Sequence, residues 1–134
     1  MVIVRPLFAG DAYRTEVWIS DDALAAIEKY VRKKENPRGF LLKKLKHYAM
    51  NGFENYVGSD KPIRHEWDGV YRIGHDNNLF RVLGFFDGRG DGIFISADAY
   101  LKRGQDLSAA DRRRINAVAR IKAEGTWRKA SDDD

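Results

Sequence analysis

The chain has 134 residues, 43% of them hydrophobic and 33% charged, with 24 Lys and Arg against 20 Asp and Glu. That is enough chain to bury about two-thirds of the surface an unfolded chain exposes, and the mixture describes a soluble globular protein with a charge-rich exterior. No apolar run approaches the ~18–20 residues needed to span a bilayer, and the absence of cysteine excludes disulfides, thiolate metal sites and a cysteine nucleophile together. The first seven residues lack the basic start and long apolar stretch of a signal peptide, so the expected location is the cytoplasm.

Met1 to Leu7 is apolar enough for a strand, with Pro6 confining it to an edge or an end. Thr15 to Ile19 is a second short candidate. Ser20 is suited to cap a helix over 21–35, because Asp21 and Asp22 fall in its first turn, where the helix dipole favours negative charge. Leu24, Ile27 and Val31 supply its apolar face, and Asn36-Pro37 ends it. A second helix fits 39–50, with Leu41, Leu45 and Tyr48 or Ala49 on one face and Lys43, Lys44 and Lys46 mostly on the other. Asn51-Gly52 stops it. Residues 53–66 read as a loop.

Three apolar runs follow: Val70 to His75, Leu79 to Phe86, and Gly92 to Ala97. Short polar turns separate them, which is the pattern of an antiparallel meander. The glycines between Asp87 and Gly92 fit no phosphate-loop spacing and do not open a helix, so they mark a turn. Ser108 with Asp111 resembles a capping box at the start of a helix over 109–124, with Ile115, Val118 and Ala119 inward and Arg112, Arg113 and Arg120 polar. Gly125 ends it, and 126–134 reads as a flexible acidic tail. The expected class is α+β: a small antiparallel sheet packed against an N-terminal helical hairpin and a C-terminal helix.

Charge is unevenly spread. Residues 28–46 hold eight basic and two acidic side chains, and residues 101–129 hold nine basic and three acidic. Two basic segments that read as helical point to a polyanionic partner, nucleic acid first. Arg72 and Arg81 also sit inside strand patterns. Arginine has no acceptor and keeps its charge, so each needs a carboxylate such as Glu66 or Asp68, or an anionic ligand. Phe80, Phe85, Phe86 and Phe94 alternate as core residues do, rather than as a base-stacking platform. His47 and His65 lack metal-ligand spacing, so neither metal nor cofactor is expected.

The order of these elements resembles the RelE/HigB superfamily of toxins from bacterial toxin–antitoxin pairs, its phage-derived branch in particular. The residues that carry the likeness are Gly69-Val70-Tyr71-Arg72, Leu79-Phe80-Arg81-Val82-Leu83-Gly84-Phe85-Phe86, Ala99-Tyr100-Leu101-Lys102-Arg103-Gly104, and the helix from Leu107 to Ile121. The resemblance implies one domain over 1–125 with an N-terminal strand extension. It further implies an endoribonuclease that cuts mRNA on the ribosome without a metal and is neutralised by a cognate antitoxin, with no membrane involved. Attack of a ribose 2′-hydroxyl on the adjacent phosphate needs charge stabilisation, a base and an acid. Carried across, Arg72 holds the phosphate, Arg81 stabilises the transition state, and Lys102 and Arg103 bind phosphate or assist proton transfer. Lys43, Lys46 and Arg112 are the further candidates for substrate binding. Gly74 stands where RelE itself has a second lysine, which makes nearby His75 a candidate substitute base. The final helix offers no tyrosine for that role. The same scaffold in its ParE-like branch inhibits DNA gyrase without catalysis, and a nucleic-acid-binding protein without enzymatic activity is a third reading.

Overall fold

The computed structural model describes residues 1–33, 40–74, 80–88, 92–104 and 106–134. The elements in chain order are β1 (Val2–Phe8), β2 (Glu16–Ser20), α1 (Asp21–Lys33), α2 (Phe40–Asn51), a 3₁₀ turn (Phe53–Tyr56), β3 (Ile63–His65), β4 (Tyr71–Gly74), β5 (Phe80–Phe86), β6 (Ile93–Leu101), α3 (Ala109–Glu124) and β7 (Trp127–Lys129). The class is α+β. A seven-stranded sheet in the order β3-β4-β5-β6-β2-β1-β7 separates α1 and α2 on one face from α3 on the other.

The sheet is mixed, which corrects the expectation of a small antiparallel one. β3, β4, β5 and β6 pair antiparallel, as do β1 and β2, but β2 runs parallel to β6 and β7 parallel to β1. Periodicity tells which residues face a core; it does not tell which strand lies alongside. Two short strands also escaped the sequence reading. β3 carries a single buried apolar residue, Ile63, beside exposed Arg64 and His65, too little for a period-2 pattern. Trp127–Lys129, expected as flexible tail, is held against β1, and Arg128 forks onto Asp134 with Nη1 and Nη2 each 2.7 Å from a carboxylate oxygen. Pro6 lies in the half of β1 that pairs with β2 alone, next to a register shift, so its missing N–H costs no ladder bond on the other side.

Helix termini follow the sequence closely. Ser20 Oγ accepts from Ala23 N at 3.1 Å and donates to Ala97 O at 3.0 Å, so one hydroxyl caps α1 and ties it to β6. Ser108 and Asp111 make a reciprocal capping box on α3, at 3.1 Å and 2.8 Å. Gly125 closes α3 in the left-handed conformation, φ 62°.

The face under α1 and α2 packs Ile19, Ile27, Leu45, Phe53 and Phe94 among its largest fully buried side chains. Tyr30 stacks on Phe80 with ring centroids 4.3 Å apart. The face under α3 packs Val4, Val70, Leu83, Phe85, Ile95, Ile115 and Val118. Phe80 and Phe94 are buried in the α1/α2 core and Phe85 in the α3 core, while Phe86 packs on the α1/α2 side with its ring 5.1 Å from that of Phe94.

Candidate functional site

Two backbone devices build the site. The first is a β-bulge. Leu83 pairs with Asp98, but the next residue, Gly84, pairs with Ser96, so Ala97 is the extra residue in β6. Before the bulge, even-numbered Phe94 faces the α1/α2 core; after it, even-numbered Tyr100 faces the α3 core. Lys102 follows in phase and meets α3. A regular strand would have sent both into the opposite core. Gly84 permits the bulge, since a Cβ there would stand 2.1 Å from the carbonyl oxygen of Ile95.

The second device is the turn joining β3 to β4. Asp68 at φ 53° and Gly69 at φ 78° both adopt left-handed backbone, and Glu66 N donates to Val70 O at 2.8 Å. Trp67 Nε1 donates to Asn116 Oδ1 at 2.8 Å and fastens the turn to α3. This places the Glu66 carboxylate beside Arg72, with Oε1 2.8 Å from Nε.

Between the two devices lies a cavity of about 190 Å³. Arg72, Arg81, Lys102, Glu66 and Tyr100 supply its polar wall, while Leu83, Leu107 and Ile115 supply the apolar one. Arg72 comes from β4, Arg81 from β5, and Tyr100 from β6 directly opposite Arg81 in the register. Arg81 is 8% exposed and Lys102 6%. Lys102 Nζ is 3.9 Å from Asp111 Oδ2. Arg81 Nη1 donates to the carbonyl of Phe80 at 3.0 Å.

Electrostatics follows from this crowding. Burial pushes the Arg81 guanidinium below its ordinary pKa, and Arg72 and Arg64 push the same way, against Tyr100 and Asp111. Burial also works against the Asp111 carboxylate, but bonds from the Ser108 amide and hydroxyl and from Tyr100, with the charge of Lys102, outweigh it and hold Asp111 below the usual carboxylate range. The Tyr100 phenol is driven well above its ordinary value, first by burial and then by Asp111, to which it donates. Arg114 covers the Tyr100 ring at 4.5 Å and pairs with Asp98 at 2.9 Å. Tyr100 therefore holds its proton and acts as a donor that orients Asp111.

Three of the expected site residues, Arg72, Arg81 and Lys102, line one cavity. The carboxylate alternative is present as well: Glu66 reaches Arg72, and Asp111 reaches Lys102. Arg103 and Arg112 are exposed on adjoining segments and do not line the cavity. Lys43 and Lys46 are exposed on α2, across the sheet, and do not join the cluster; Lys43 borders a separate open groove with His47 and Tyr56. His75 lies outside the described residues. Sequence reading missed Tyr100 and Asp111 as site residues, and period-2 alternation from Lys102 back to Tyr100 was the available signal for the first. Among the described residues, no group of three or more His, Cys, Asp or Glu is placed to hold a metal ion, and no helix is long and apolar enough to cross a membrane. Comparison of the chain with protein-family models, curated proteins and solved structures gives no match.

Proposed function

We propose that the protein is a toxin-type endoribonuclease of the RelE/HigB kind, acting on mRNA at the ribosome, with the cavity beneath α3 receiving the scissile phosphate. The observation that carries this reading is the convergence of Arg72, Arg81 and Lys102, from three consecutive strands and their margin, on one cavity. With β1, β3 and β7 set aside, the remaining elements follow the strand, helix, helix, three strands, helix order on which the resemblance rests, which supports the reading.

In the proposed reaction, the ribose 2′-oxygen attacks the adjacent phosphorus and the bond from phosphorus to the 5′-oxygen breaks. The products are a 2′,3′-cyclic phosphate and a 5′-hydroxyl. Arg81 and Arg72 stabilise charge on the non-bridging oxygens, which preformed cations do well where water is partly excluded. Glu66, at the cavity wall, accepts the 2′-hydroxyl proton. Lys102 donates to the departing 5′-oxygen. A substrate phosphate also compensates the cost of burying Arg81 among other cations.

The ion pairs Arg72–Glu66 and Lys102–Asp111 favour a second reading, in which the cavity binds a nucleic-acid phosphate and cuts nothing. Incubation of the purified protein with mRNA, free and on translating ribosomes, separates the two. New 3′ ends carrying cyclic phosphate support the nuclease; salt-sensitive binding without new ends supports the binder.

A further inference from the structure

Arg64 is absent from the cavity wall, yet the register places it directly across from Arg72, on the edge strand β3. Like charges facing each other across an antiparallel pair destabilise it. Arg64 is exposed, and its Nε donates to the Lys61 carbonyl at 3.1 Å, a bond that orients the guanidinium without neutralising it. Among the described residues, no carboxylate lies within ion-pair distance of Arg64. Its charge nevertheless reaches Arg81, two strands away. Adjacent strands are roughly 4.8 Å apart. The three arginines thus form a graded row, exposed at Arg64, part-buried at Arg72 and buried at Arg81.

We infer that this row is a track for a phosphodiester strand, with Arg64 holding the phosphate next to the one in the cavity. The ligand is then an extended single strand, because a lone phosphate group would leave Arg64 without a role. This inference rests on the reading of the cavity as a phosphate site. It adds that Arg64 is a binding residue which does not touch the reacting phosphate.

The test uses the full chain and a fluorescent single-stranded RNA oligonucleotide, titrated at several salt concentrations, with cleavage followed in parallel. Arg64→Ala is expected to weaken binding and lower the slope of log affinity against log salt by about 1, the loss of one phosphate contact. It should raise KM and leave kcat unchanged, while Arg64→Lys restores the slope. A single uncharged methylphosphonate beside the cleavage site should weaken the wild type and leave Arg64→Ala no weaker than before. Wild-type affinity and slope in Arg64→Ala, with cleavage lost in Arg81→Ala, overturns the track and leaves the cavity reading standing. Wild-type behaviour in both variants, or no RNA binding by the wild type, overturns both.

Discussion

Beneath α1 and α2 the sheet buries rings and aliphatic chains: Ile27, Leu45, Phe53, Val82, Phe94. Beneath α3 the same sheet buries Arg81, Lys102 and Asp111 beside Leu83, Phe85 and Ile115. The buried charges among the described residues are all on this second side. Charged groups buried in partnership add little stability compared with well-packed hydrophobic residues of similar volume, although Asp111 also closes the capping box of α3. Under the proposed function, stability rests chiefly on the hairpin face and chemistry on the α3 face.

The largest expected effect belongs to the hairpin face. Phe53 is fully buried and packs edge-on to Tyr48 and Phe86 and tilted against Phe94. Phe53→Ala should cost about 3–5 kcal/mol in urea unfolding, without changing cleavage per folded molecule. Lost cleavage at full folding would break the division between the faces.

Next comes Arg81→Ala, for which the division predicts the opposite pattern. Cleavage should fall by about 10²- to 10³-fold, the range for removing one preorganised group that stabilises transition-state charge. The circular dichroism spectrum and chevron folding limb should remain those of the wild type.

Asp111→Asn probes where the two roles meet, since Asp111 both caps α3 and holds Lys102. Asn keeps an oxygen able to accept from Ser108 N, so the loss expected from removing the negative charge at the helix N-terminus is about 0.3–1 kcal/mol. The pH dependence fixes the sign. The Asp111 pKa is lowered in the folded state, so its contribution is present above the unfolded carboxylate value and lost as pH falls through the lower folded value. Asp111→Asn should therefore flatten the acid limb of the stability profile and leave the neutral-to-alkaline part parallel to the wild type. The smallest effect is assigned to Lys43→Ala with Lys46→Ala, exposed on the far face, where stability should move by no more than about 0.5 kcal/mol and cleavage not at all. A loss of cleavage there would extend the RNA path around the molecule.

What was legible in the sequence was local. Ser20, Ser108, Asp111 and Gly125 announced helix ends because capping depends on residues within one turn of each other. The Leu41, Leu45 and Tyr48 face and the apolar-rich Phe80 to Phe86 run announced burial for the same reason. The convergence of Arg72 with Arg81 followed from a hairpin pattern. The position of Lys102 did not. It depends on the bulge at Ala97, which reverses the facing of β6 partway along, and nothing in the alternation of Ile93 to Leu101 marks where the phase changes. The parallel pairing of β2 with β6 was hidden because it joins segments far apart in the chain. Arg64, the residue proposed to extend the phosphate track, was invisible because a strand with one buried apolar side chain leaves no period to read.

The most direct test of the account is cleavage of one mRNA and of the same RNA with a single 2′-deoxyribose at the cut position, by the wild type and by Arg81→Ala. Reactions run both free and on translating ribosomes. The wild type is expected to cut only the all-ribose substrate, leaving a 2′,3′-cyclic phosphate, and Arg81→Ala, folded and with unchanged thermal stability, to cut neither at a comparable rate. Cleavage by Arg81→Ala at the wild-type rate, or intact RNA with the wild type in both settings, would contradict it.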